Sequence, residues 1–176
     1  MITTREFVQE GLTEAWGRLR EITAGLTQEQ LLWRPDLAGS KGNSAGFLLW
    51  HCGRAEDNFI QRFIQRGDEV WASGGWEAKF AYQTRGIGTG FTPDEAGEVP
   101  IPSADLVWSY LDDVRKGTMS YLATLDWSTI EEKPRADRFP QWSIQTILRQ
   151  LIAHPNQHLG QIDLLRGLQG LGGGLG

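Results

Sequence analysis

The chain is poor in cysteine, in histidine and in long apolar runs, and each shortage narrows what it can be. Cys52 is the one cysteine in 176 residues. It excludes an intramolecular disulfide and any cysteine-built zinc site. No run approaches the ~20 apolar residues that a membrane-spanning helix needs. The opening residues, MITTREFVQEG, lack the apolar core of a signal peptide. A cytoplasmic location is the expectation. Positive charge is scarce: 17 Lys and Arg stand against 22 Asp and Glu, for a net charge of −5. With no basic cluster to offset that balance, neither nucleic acid nor a membrane surface is an expected partner. Alternating apolar and polar residues are missing too, so no sheet is expected beyond a short hairpin in a loop.

What remains is a globular composition, with 40% hydrophobic and 22% charged residues. That length can bury a sizeable core in one domain. Eight tryptophans and 22 glycines stand out. Tryptophan is costly to leave in water, so several should line a core, a pocket or a subunit interface.

Four segments show helical periodicity. Thr3 or Thr4 can cap the first, with Val8, Leu12, Ala15, Leu19 and Ile22 as its apolar stripe and Gly25 at its end. Thr27 and Gln30 form a capping-box pattern before a short turn that Arg34-Pro35 stops. Asn43 or Ser44 can cap the second long helix, expected to reach Gln65 with a stripe of Leu48, Cys52, Ala55, Phe59 and Phe63. Residues 68–102 lose periodicity yet carry Trp71, Trp76, Phe80, Tyr82 and Phe91. They read as an ordered excursion across one end of the helices, forming a pocket wall. Ser103 caps the third helix, and Trp142-Ser143 opens the fourth, which runs to Leu168. Pro155 lies inside that fourth helix and is expected to bend it near Leu151. The expected fold is all-α: a four-helix bundle with long aromatic-rich loops, one domain over 1–170 and a flexible Gly-rich tail at 171–176.

The three histidines all fall on helical positions that border the core. His154 and His158 differ by ~40° of helix rotation, so both reach one point. His51 borders the stripe of the second helix and can meet them across a helix contact. Neutral imidazole is the commonest metal ligand, and bundles build metal sites from inward side chains on facing helices. Three protein ligands would leave a position open for water or substrate, as catalytic sites do. A packed or hydrogen-bonded histidine group is the competing reading. A zinc-protease reading fails, because Pro155 stands where that motif needs a glutamate.

The segments Leu49-Trp50-His51, with Glu56-Asp57 after it, and His154-x-x-x-His158-Leu159-Gly160-Gln161-Ile162 resemble the DinB/YfiT-like family. The resemblance runs over nearly the whole chain. It implies a four-helix bundle whose histidine triad, here His51, His154 and His158, binds a divalent metal. Zinc or nickel is implied first, with iron or manganese as further candidates. It also implies a homodimer, and for some relatives transfer or isomerisation of small molecules with a low-molecular-weight thiol such as bacillithiol or mycothiol as cosubstrate.

Beside the triad, Arg54 and Asn58 lie near His51 in helix rotation and are candidates to orient a substrate or a metal-held water. Gln161 neighbours His158 and is a candidate to steady it. A solvated or interhelical role competes for each. Glu56 points away from His51 and, if buried, needs a partner such as an arginine. Cys52 reads as a buried structural thiol. The glycines from Gly86 to Gly90 are discounted as a phosphate loop. Arg135, Arg138 and Lys133 could meet an anionic group at a pocket mouth, and surface solvation explains them equally well. The leading functional expectation is a metal-dependent thiol transferase or hydrolase acting on a small-molecule substrate. A non-catalytic metal- or ligand-binding bundle and a structural homodimeric interaction protein are the alternatives.

Overall fold

The structure is a computed structural model and describes residues 1–172 except 136 and 138. Arg138 and the tail residues 173–176 therefore lie outside the described residues.

Helix starts follow the local chemistry of the sequence. Thr3 caps α1 (Thr4–Thr23) and exchanges hydrogen bonds with Glu6, closing a capping box. Thr27 and Gln30 do the same for α2 (Gln28–Leu32). Between α2 and the next helix lies a two-stranded antiparallel hairpin, β1 (Asp36–Leu37) and β2 (Ser40–Lys41). Its two turn residues, Ala38 and Gly39, both have positive φ, as a tight hairpin turn requires. Ser44, Ser103 and Ser143 cap α3 (Ala45–Asp57), α7 (Ala104–Thr124) and α8 (Ile144–Leu168), each accepting a backbone N–H three residues on.

Four long helices pack together: α1 lies along α8, and α3 contacts both α7 and α8. The bundle architecture matches the expectation, but α3 departs from it in two ways. First, every residue of α3 is buried, so it has no solvent face. The stripe expected from 3.6-residue periodicity accounts for only part of it. The rest is covered by α2 and by residues 68–102, which fold into three short helices, α4 (Val70–Ser73), α5 (Trp76–Lys79) and α6 (Pro93–Glu98). Trp71, Trp76 and Phe80 enter the core there and pack around Tyr110 of α7. Gly53 lets α7 come close, because a Cβ on it would sit 2.7 Å from Leu111.

Second, α3 does not continue as an α-helix to Gln65. It passes into a π-helix at Asn58–Ile64, where the Gln65 N–H reaches back five residues to the Ile60 carbonyl at 3.1 Å. A wider turn slips the angular register of all that follows it. Phe59 is left half-buried at the edge of a groove, stacked on Trp142 with ring centroids 5.3 Å apart.

Candidate metal centre

Three side chains from two helices converge on one point. His51 comes from the middle of α3, and His154 and His158 come from successive turns of α8. The Nε2 atom of His154 lies 3.0 Å from Nε2 of His51 and 3.0 Å from Nε2 of His158. His51 is buried, and the other two are half-buried. Pro155 sits inside α8 between the paired histidines, and its ring is buried.

The outer nitrogen of two rings is already committed. His51 Nδ1–H donates to the carbonyl of Ile87. His158 Nδ1–H donates to Oε1 of Gln161 at 2.6 Å. Each imidazole carries one proton when neutral, so these bonds leave a lone pair on both Nε2 atoms. His154 then faces two lone pairs with one Nε2. It can donate to one of them at most, so hydrogen bonding alone leaves the trio unsatisfied. A single cation at the centre would satisfy all three at once. Separations of 3.0 Å also suit a shared ion. Ligands ~2.1 Å from one ion stand ~3.0 Å apart at right angles and ~3.4 Å apart in a tetrahedron. His51, His154 and His158 could therefore hold a metal ion.

Electrostatics favours the form that binds metal. Burial holds all three imidazoles below their ordinary pKa, and His154, flanked by His158 and His51, is brought down to about 3. The three rings are neutral at pH 7, as ligation requires.

The centre opens on a groove of about 580 Å³ lined by Phe47, Phe59, Ile87, Gly88, Phe91 and Trp142 among others. Phe47 lies parallel to His51, with centroids 6.0 Å apart. The wall formed by residues 86–90 is closer than sequence reasoning foresaw. Gly88 has φ +90°, and a Cβ on it would stand 2.9 Å from His51 Nδ1 and 3.1 Å from Phe47. Only glycine combines that backbone conformation with that approach. Gly88 and Ile87 are thus the site residues the sequence reading passed over. Their one signal is the spaced glycines Gly86, Gly88 and Gly90 in an aromatic segment.

The remaining candidates divide. Gln161 meets His158 directly. Asn58 lines an adjoining cavity and donates to Glu69 Oε1 at 2.6 Å. Arg54 does not face the groove. Its side chain is 0% exposed, paired with Glu69 at 2.9 Å and Asp57 at 3.3 Å. Asp57 also accepts the N–H groups of Val70 and Trp71 and the hydroxyl of Tyr110. The Arg54 Nε–H reaches the Gly86 carbonyl at 3.4 Å, so this network anchors the loop that carries Ile87. Glu56 points elsewhere, accepting from Trp16 Nε1 at 2.7 Å and pairing with Arg115 at 3.1 Å. Cys52 is buried, and burial pushes its thiol pKa up, which leaves it inert.

No helix among the described residues is long and apolar enough to cross a membrane. No curated protein matches the sequence. The fold is similar to the crystal structure of a conserved protein from Enterococcus faecalis. The two are 25% identical, with 96% of this chain and 98% of that chain covered and a TM-score of 0.81. The sequence model of the DinB superfamily matches residues 12–162, a span that takes in α3, α7 and all three histidines, and the chain belongs to that superfamily.

Proposed function

We propose that His51, His154 and His158 hold one divalent ion, zinc or nickel in first place and iron or manganese in second, and that the groove beside them runs a thiol-dependent transfer on a small molecule. The observation that carries this reading is the convergence of three Nε2 atoms, two of them fixed as lone-pair donors by Ile87 and Gln161. Three protein ligands would leave a further position for a thiol or water, the pattern of catalytic rather than structural sites. When bound, such an ion supplies a Lewis acid that brings the pKa of a thiol or a water toward ~7.

The chain's own residues do the positioning. Ile87 and Gln161 keep two rings from rotating. Phe59 and Trp142 offer flat apolar faces to an electrophile, and Phe47 and Phe91 cover the inner end. No carboxylate lines the groove among the described residues. A nucleophile whose proton leaves easily therefore suits it better than one needing a protein base, which favours thiol transfer over hydrolysis. The same observation supports a second reading, a carrier that binds a ligand without converting it.

The test is turnover. Zinc- or nickel-loaded protein is mixed with a cysteine-derived thiol and an activated aryl chloride, and thioether formation is followed by absorbance. Transfer predicts metal-dependent product that His158→Ala abolishes. Turnover unchanged in that variant overturns the proposal. Saturable thiol binding with no product selects the carrier.

A further inference from the structure

The groove does not end at the histidines. A second cavity of about 270 Å³ is lined by Asn58, Arg62, Phe63, Arg135 and Phe139. It shares Phe59, Ile87 and Trp142 with the first, so the two cavities adjoin across these side chains. The stacked pair of Phe59 and Trp142 stands at the junction.

The far end is chemically unlike the near end. It holds two arginines and, among the described residues, no carboxylate in its lining. That is notable in a chain of net charge −5. The Arg135 side chain is 25% exposed and packs over the ring of Phe63, 5.8 Å from its centre. Its described acceptor is Asp137, at 3.4 Å from Nε, and Asp137 itself is 67% exposed and outside the cavity. A guanidinium has five N–H donors in a fork suited to oxyanions. Among the described residues this long contact at Nε is its one ion pair, and Arg135 lines the cavity. Arg62, an exposed residue, is the second arginine of the lining, and it also borders a neighbouring hollow with Asp68 and Glu69.

We propose that this end is a subsite for the oxyanion head of an elongated small molecule whose apolar middle lies on Phe59 and Trp142. The head is a carboxylate or a phosphate. The other end of the molecule reaches the histidine centre, so this inference rests on the metal reading for its direction but not for the anion site itself. His51 and Arg62 are eleven residues apart through α3 and the π-helical segment that follows it, an axial rise of at most ~16 Å at ~1.5 Å per residue.

Octanoate, octyl phosphate and 1-octanol serve as probes below their micellar concentrations. Binding is measured by tryptophan fluorescence on chelator-treated wild-type protein and on His154→Ala. At least one anion should bind tenfold or more tightly than octanol in both, and its affinity should fall as salt rises. Which anion wins identifies the head group. The double variant R62Q/R135Q should lose that preference and keep its octanol affinity. Equal affinity for all three probes in wild type overturns the subsite, and so does an anion preference that survives in R62Q/R135Q. The wild-type comparison needs no variant to fold. Anion preference in protein that takes up no metal would sink the metal reading and leave the subsite standing. Metal uptake without anion preference would do the reverse.

Discussion

His51 and Arg54 lie three residues apart on α3, both buried, and they end in opposite chemical states. Around Arg54 the polar groups answer one another: two carboxylates, a phenol hydroxyl and backbone N–H and carbonyl groups complete a closed network. At His51 and His158 the ring N–H groups are used on the outside, and two inward lone pairs face the single Nε2 of His154. A satisfied buried network needs nothing further and fixes architecture. A cluster of inward lone pairs lacks a partner, and that lack marks a binding site. Two buried polar groups on one helix therefore carry different meanings, decided by whether their hydrogen-bond ledger closes.

The largest expected effect breaks the closed side. Arg54→Ala leaves Asp57 and Glu69 buried without their cation, and losing one partner of a buried pair costs roughly 3–5 kcal/mol. Urea unfolding should show that loss with or without added zinc. The open side should behave in the opposite way. His154→Ala or His158→Ala should reduce zinc or nickel affinity at least a hundredfold in calorimetric titration. The metal-free protein should lose only about 1 kcal/mol or less, as expected of a half-buried side chain whose polar partners are unmet. A large stability loss in metal-free His158→Ala would erase the contrast between the two sides.

Intermediate effects sharpen the boundary between them. Gly88→Ala strains a positive φ and presses on His51 and Phe47. Metal affinity should fall by about tenfold or more, the scale seen when a ligand's supporting contacts are disturbed. Gln161→Ala frees the His158 ring from one side only. It should sit at the low end of that range, about tenfold, with Gln161→Glu restoring most of the loss.

The smallest effect is in pH. The folded pKa of each histidine lies below its ordinary value, so the neutral form persists in the folded protein where an unfolded chain is already protonated. Stability of the metal-free protein that is present above pH ~6.5 should be lost progressively as pH falls through that range toward the folded pKa values. For the same reason metal affinity should change by only about threefold between pH 7.5 and 6, and fall steeply below that. An exposed histidine trio would lose affinity already at pH 6.

The two sides were unequally legible in the sequence. The meeting of His51, His154 and His158 follows from helix rotation and from their position at the core margin, both local properties. The caps at Thr3, Thr27, Ser44, Ser103 and Ser143 follow from side-chain chemistry within one turn. The Arg54 network was hidden because its partner Glu69 lies in a segment without periodicity, placed by tertiary packing alone. Ile87 was hidden for the same reason, 36 residues from the histidine it holds. The π-helix at Asn58–Ile64 escaped because a wider turn keeps the apolar composition of an α-helix and changes only its phase. Full burial of α3 could not be read from a stripe, since part of its cover, Trp71 against Trp50 and Ile101 against Gly46, comes from that same aperiodic segment.

One measurement tests the central claim most directly: elemental analysis of protein purified without a histidine tag, wild type beside His51→Ala. The open cluster predicts close to one divalent ion per chain in wild type, or a rise in melting temperature on adding zinc or nickel to protein that emerges empty, and neither in His51→Ala. Wild-type protein that holds no stoichiometric metal and shows no thermal shift with either ion would contradict it.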